Sequence, residues 1–383
     1  MVNESTTTSV NTNICKRLYW LDGIKGLSCF FIFLHHFMLE CFPATVYGTK
    51  ETSKLFGIDT FLSTSPLGFF INGNFFVFLF ILISGYVITY QTINMDVSKI
   101  GIFSFKRYLK LSIPLIFYCV IVTILYKFGI NKDFFGCNIT LFQALKNGLF
   151  SILFLGSSSF SGPFWMLKYI MLGGLFLSLL SATVHSKPEK SNKTLYMAIF
   201  FFFVCFVCKQ YYFSTCLLGG ILCLITNYYE YSLFLTKYKS LNYILLLLGI
   251  FFAGFPTAVV PENIYRFFYV NKFNSDNTYL YHETAAFLLL LAIYYMPKIQ
   301  NLFERNVITY FSKYSFTFYI FHWYILKLFS FCRDYFFYGS NNYFLATLIY
   351  FFISFIITFI ISLASQKFIL NKICKSLLWY VNE

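Results

Sequence analysis

Charge is what this sequence has least of. Only 11% of its 383 residues are Asp, Glu, Lys or Arg, against 58% hydrophobic, and the mean hydropathy is +0.67. A soluble domain of this length carries roughly 25% charged residues, so a fully water-exposed exterior is excluded before any motif is considered. Signals that divide a chain are also missing: there is no internal repeat, no linker, and no small-residue cleavage site after the first apolar run, which begins near residue 27. That run is expected to be kept as a helix. The 11 cysteines are scattered, mostly inside apolar segments. Cys205 and Cys208 form a C-x-x-C with no second pair and no nearby histidine, so small packing residues are expected there, and no metal.

What charge there is has mainly one sign. Twenty-nine Lys and Arg face 15 Asp and Glu, a formal +14. Basic chains often bind phosphate backbones, but here the cations fall in short gaps between apolar runs. That pattern orients a protein in a membrane, and no nucleic-acid partner is expected. Aromatics reach 23%, with 54 Phe and 31 Tyr. Lipid-facing surfaces favour such residues, but an AT-rich genome produces the same excess, so the count has no functional weight.

A bilayer core takes about 20 apolar residues per helix. Ten spans are expected, at 25–42, 68–91, 109–128, 164–184, 194–208, 213–228, 241–260, 284–297, 314–331 and 343–365. The fold class is therefore an all-α integral membrane bundle of about ten helices. The apolar stretch 142–157, ending in a Gly/Ser run to Gly162, is expected to be a half-helix or re-entrant piece, which a membrane tolerates only when protein buries it. With the N-terminus cytoplasmic, 18 of the 29 Lys and Arg lie on that side, so both termini are assigned there. The domain organisation expected is a tail at 1–15, one transmembrane domain at 16–366 and a short tail at 367–383, with no room for a second domain. Asn138-Ile-Thr140 is a glycosylation sequon on the outer side, relevant only in a eukaryotic host.

Ionisable side chains at membrane depth are costly and are functional candidates by default. The first span holds His35, His36 and Glu40, the fourth Lys168, the ninth His322 and Lys327. Lys327 is near a helix end and is expected to snorkel. Lys25 and His36 are eleven residues apart, which at about 100° per residue brings them within roughly 20° of one face, roughly 16 Å apart along it. His35 is rotated about 100° from His36 and is expected to be a packed core histidine without its role. Glu40, one turn beyond His36, is placed to hydrogen-bond its imidazole and fix the tautomer. Ser84-Gly85 in the second span is by itself a common small-residue helix contact. Arg107 and Lys110, at i,i+3 near the start of the third span, form a plausible phosphate clamp or an ordinary juxtamembrane basic cluster. His322 alone reads equally as ligand or core.

Taken in order, these elements resemble the membrane acyltransferase-3 family. The resemblance rests on Leu21-Asp-Gly-Ile-Lys25-Gly followed by ten residues and His36, then Phe80-Ile-Leu-Ile-Ser84-Gly85, Arg107-x-x-Lys110, Trp165-x-Leu167, and Ser315 with Tyr319-x-x-His322. It implies a bundle of ten or so helices that moves an acyl group from cytoplasmic acyl-coenzyme A to an acceptor hydroxyl, usually on a sugar. By that resemblance His36 is the essential histidine, Lys25 the cation where the donor enters the membrane, and Arg107 and Lys110 the coenzyme-contacting pair. Ile81 stands where the family has a second Phe and Lys110 where a second Arg is usual, so the bidentate fork is lost there. Lys168 and Tyr169 follow the Trp-x-Leu element where many members have an acid, and no role is carried onto Lys168.

The expected chemistry has His36 as general base on the acceptor hydroxyl or as transient acyl carrier. Ser84 and His322 shape the cavity or stabilise the oxyanion. The expected partners are acyl-coenzyme A (acetyl above all), a cell-surface or lipid-linked glycan, and membrane lipid, at a plasma membrane. Two rivals stand beside this: a polysaccharide exporter or flippase without acyl chemistry, and a small-molecule transporter, for which the expected inverted repeats are missing.

Overall fold

The computed structural model describes residues 17–49, 53–55, 57–130, 139–160, 162–183, 190–228, 238–257, 264–271, 276–340 and 342–367. The tail at 1–15, nearly all of that at 367–383, and Asn138 of the sequon lie outside them. The described residues form helices and no strand.

Each expected span corresponds to a helix: α1 Tyr19–Cys41, α2 Gly73–Thr92, α3 Val97–Lys127, α4 Trp165–Thr183, α5 Lys190–Val207, α6 Tyr211–Tyr228, α7 Lys239–Ala253, α8 Asp276–Tyr294, α9 Ser315–Leu328 and α10 Tyr343–Ser365. Of these α1, α2, α3, α4 and α10 are long and apolar enough to cross a membrane, and α8 joins them if counted with the helix Pro297–Phe303, to which it is bent by 105°. The protein is thus a multi-pass helical membrane protein.

Side-chain pairs give the relative directions. Phe33 meets Phe318, His36 meets His322 and Glu40 meets Lys327, so α1 and α9 run parallel. Phe31 stacks on Phe76 while His35 lies against Gly73, so α1 and α2 run antiparallel.

α2 is apolar on every side and takes the centre, as a helix without a polar face must. It packs most extensively on α6, where Gly85 and Gly219 bring each backbone against the other. A Cβ on either would collide with the facing carbonyl, of Cys216 or Leu82. α10 shows the reverse of a soluble helix. Phe344, Leu348, Phe352, Ile356 and Ile360 recur every four residues as an exposed stripe, while Ser354, Thr358 and Ser362 face inward. Those inner hydroxyls hydrogen-bond within their own helix, Thr358 to the Ser354 carbonyl and Ser362 to that of Thr358, each at 2.7 Å. In water so long an apolar stripe would drive aggregation; against lipid it needs no cover.

Several boundaries differ from expectation. α2 starts at Gly73 because Pro66–Ile71 forms a separate 3₁₀ turn, and α7 stops at Ala253. α3 begins at Val97, so Arg107 and Lys110 lie about three to four turns inside it. α8 begins at Asp276, because its first two turns are polar yet buried, which hydropathy does not detect. The half-helix is present as Leu141–Lys146 running on into a π-helical Asn147–Leu155. Thr140 and Gln143 form a capping box at its start and Gly156, at φ 69°, ends it. Its buried side packs on α3 and α4.

Candidate active site

A cavity of about 190 Å³ lies between the C-terminal half of α1, the start of α2, and the N-terminal approach to α4. Ile32, His35, His36, Gly73, Asn74, Val77, Pro163, Trp165 and Tyr319 line it, with five side chains able to hydrogen-bond in an otherwise apolar wall. Pockets with a few convergent polar groups are the usual place for small-molecule chemistry.

His36 is at the centre of a ring cluster. Its imidazole centroid is 4.7 Å from the Trp323 ring, 5.3 Å from His322 and 5.2 Å from His35. Its Nδ1 is buried without a partner among the described residues, which leaves Nε2 as the nitrogen turned to the cavity. Behind it, His322 is fully buried, with Nδ1 2.5 Å from the Tyr319 carbonyl. A carbonyl only accepts, so Nδ1 bears the proton and Nε2 of a neutral His322 is a bare acceptor. That Nε2 is also buried and unpartnered among the described residues. The two adjacent rings thus hold a donor position and an acceptor that a small side-chain rotation, or one water, would join.

Glu40 does not serve His36, contrary to expectation. Its carboxylate pairs with Lys327, and Arg333 Nη1 approaches it at 3.8 Å. The reason is the parallel course of α9. One turn beyond His36 and Trp323, both helices present a charge at the same level, and a carboxylate of low exposure takes an ammonium in preference to a neutral imidazole. Lys327 therefore does not simply snorkel; it bridges Glu40 and lies 5.1 Å from the Trp323 ring centroid.

His35 also departs from its expected part. Its ring lines the same cavity, where Nδ1 hydrogen-bonds the Ile71 carbonyl at 2.8 Å. Gly73 makes the room, since a Cβ there would overlap the imidazole. An angular offset of one residue separates two side chains on a helix but not when the cavity spans both directions.

At the N-terminal end of α1, Lys25 makes no hydrogen bond or ion pair among the described residues, and it lies within electrostatic range of Asp22 and, more weakly, of Arg107. Arg107 turns into the bundle against Gly174 of α4. Its Nη2 donates to the Ile170 carbonyl at 3.3 Å and its Nε is buried without a partner among the described residues. Lys110, three residues on, is exposed while Arg107 is partly buried, so the two members of the expected clamp differ in environment and no shared partner joins them among the described residues. Ser84 is buried in α2 and is not among the cavity-lining residues. Lys168 lies 5.7 Å from the Tyr169 ring centroid.

Sequence reasoning missed His282, Glu283 and Asn74. His282 and Glu283 are buried in α8, and Ser214 and Thr215 donate to Glu283 Oε1 at 2.7 and 3.1 Å. The signal for them was the His-Glu pair immediately before an apolar run, with Asp276 as an N-terminal acid two turns earlier.

The acyltransferase domain model, acyltransferase 3, matches residues 18–364. A curated relative, the O-acetyltransferase PaAT-1 of Phomopsis amygdali, is 28% identical over 121 residues, covering 29% of this chain and 23% of that protein. The chain thus matches less than a quarter of that relative's length. No solved structure matches. With nearly the whole bundle inside the family match, the chain belongs to the acyltransferase-3 family.

Proposed function

We propose that this enzyme is an O-acyltransferase that moves a short acyl group, acetyl in the simplest case, from acyl-coenzyme A to a hydroxyl of a cell-surface or lipid-linked glycan at a plasma membrane. The observation that carries the reading is His36 in the cavity wall with His322 directly behind it. The O-acetyltransferase name of the distant relative supports the choice of hydroxyl and acetyl.

The N-terminal end of α1 and both termini are on the cytoplasmic side. Lys25 and Arg107, two cations within electrostatic range of each other, take the donor's phosphates. Lys110 adds charge at the approach. The pantetheine arm then covers the roughly 16 Å along α1 to His36. There His36 Nε2 removes the hydroxyl proton as the oxygen attacks the thioester carbon. Its Nδ1–H donates to His322 Nε2, which fixes the tautomer and steadies the imidazolium, the role first expected of Glu40. The intermediate collapses with cleavage of the C–S bond, and His36 returns the proton to the sulfur, giving ester and thiol. Transient acylation of His36 itself uses the same groups in two steps.

The test is acyl-coenzyme A turnover by the purified protein in detergent, with His36→Ala and Arg107→Ala alongside. Turnover lost in His36→Ala, and donor binding weakened in Arg107→Ala, is expected. No coenzyme binding by folded wild-type protein would overturn the reading and leave a glycan exporter in its place.

A further inference from the structure

The wall of the cavity that His36 lines also holds an amide that packing does not account for. Asn74, at the start of α2, lines the cavity and is gripped from two other helices. His282 Nδ1 of α8 is 3.0 Å from Asn74 Nδ2, and the Tyr212 hydroxyl of α6 donates to Asn74 Oδ1 at 3.1 Å.

The orientation of this amide follows from what lies behind it. His282 Nε2 is 3.0 Å from the Phe255 carbonyl, which can only accept, so Nε2 carries the proton and Nδ1 of the neutral ring accepts. Asn72 Nδ2, 2.9 Å from the same Nε2, does not compete for it. Its two hydrogens go to the carbonyls of Ala253 at 3.1 Å and Phe255 at 3.0 Å. Asn74 must therefore turn its nitrogen to His282 and its oxygen to Tyr212. A flip would set oxygen against a bare ring nitrogen. The Asn74 NH₂ has two hydrogens and His282 uses one; the second has no partner among the described residues.

Such a network is costly to keep in an apolar bundle, and every buried member of it except this one N–H is occupied. We propose that Asn74 is a further catalytic residue, whose free side-chain N–H hydrogen-bonds the thioester oxygen as it becomes an oxyanion, with His282 and Tyr212 as its positioning residues. When the acceptor oxygen bonds the thioester carbon and its proton passes to His36, the carbonyl π pair moves onto oxygen and meets this donor. When the carbonyl re-forms, the C–S bond breaks and His36 protonates the leaving sulfur. A donor already fixed by two partners costs no reorganisation at that moment.

This inference rests on the acyltransferase reading, and the experiment separates the two. Acyl transfer from acetyl-coenzyme A is measured for wild type, Asn74→Ala, Asn74→Asp and Tyr212→Phe, with coenzyme binding measured in parallel. Asn74→Ala and Asn74→Asp are expected to lower kcat by about 10²-fold or more, with donor affinity kept, as for loss of one oxyanion donor. Tyr212→Phe keeps the ring and loses only the hydrogen bond to Oδ1, so its kcat falls by less. If Asn74→Ala does not fold, the nearly isosteric Asn74→Asp carries the test. A folded Asn74 variant with wild-type kcat, or one that loses donor affinity in step with kcat, overturns the inference while leaving the acyltransferase reading intact. A wild type that binds no coenzyme overturns both.

Discussion

The two ends of α1 handle charge in opposite ways. At its C-terminal end Glu40 is held between Lys327 and Arg333, and Arg333 Nε also bonds Asp334 at 2.8 Å, so each cation has an acid and three helical segments are tied together. At its N-terminal end Lys25 and Arg107 lie within electrostatic range of each other, and neither is bonded to an acid among the described residues; Arg107 donates to the Ile170 carbonyl. Asp22, the nearest acid, is bonded to Arg17 at 2.7 Å. A matched cluster ties helices together; an unmatched one is a place for an anion. Between these ends lies His36, whose neighbours are neutral rings.

The largest effect should come from the middle. His36→Ala is expected to lower kcat by about 10²- to 10⁴-fold, the range for losing a general acid–base, with the protein still folded and still binding coenzyme. Arg107→Ala comes next. Loss of charge-assisted hydrogen bonds, worth about 1.5–3 kcal/mol, should weaken coenzyme binding by about 10- to 100-fold in a titration and leave kcat at saturation nearly intact. A loss in kcat alone would break the assignment of the N-terminal end of α1 to donor binding. Glu40→Gln should act on stability instead, lowering it by about 1–2 kcal/mol because it strands Lys327 in a site of low exposure. Its thermal midpoint in detergent should fall while turnover stays within a few-fold. If Glu40→Gln instead matched His36→Ala in turnover, the Glu40 cluster would be catalytic after all. Smallest is Lys110→Ala, an exposed surface change expected within about 0.5 kcal/mol, or roughly twofold, in coenzyme affinity. An effect as large as that of Arg107→Ala would restore the clamp.

Much of this was legible before folding. Each of the ten apolar segments contains a helix, and five or six of these are long and apolar enough to cross a membrane, because a lipid-facing helix must be apolar over its length whatever its neighbours are. The spacing of Lys25 and His36 placed them at two heights on one helix, which is a property of that helix alone. The errors share a cause. Glu40 was given to His36 because the i,i+4 rule sees only its own helix; the competing ammonium comes from a residue 287 positions away. Arg107 and Lys110 were paired by the same rule, which does not see that α4 partly buries Arg107 and leaves Lys110 exposed. His282 was overlooked because its helix was started eight residues late, at the first apolar residue rather than at the buried polar turns before it.

The sequence by itself determined that the chain is a helical membrane protein, where its helices lie, and which of its rare ionisable groups share a helix. These follow from composition and from a period of 3.6, both local quantities. Only the tertiary structure decided the partners: His322 rather than Glu40 behind His36, the Ile170 carbonyl for Arg107, and Asn74 held by His282 and Tyr212. Inside a low-dielectric bundle the energy of a polar group is set by whatever lies within a few ångströms of it, and helix packing, not chain order, brings those neighbours together.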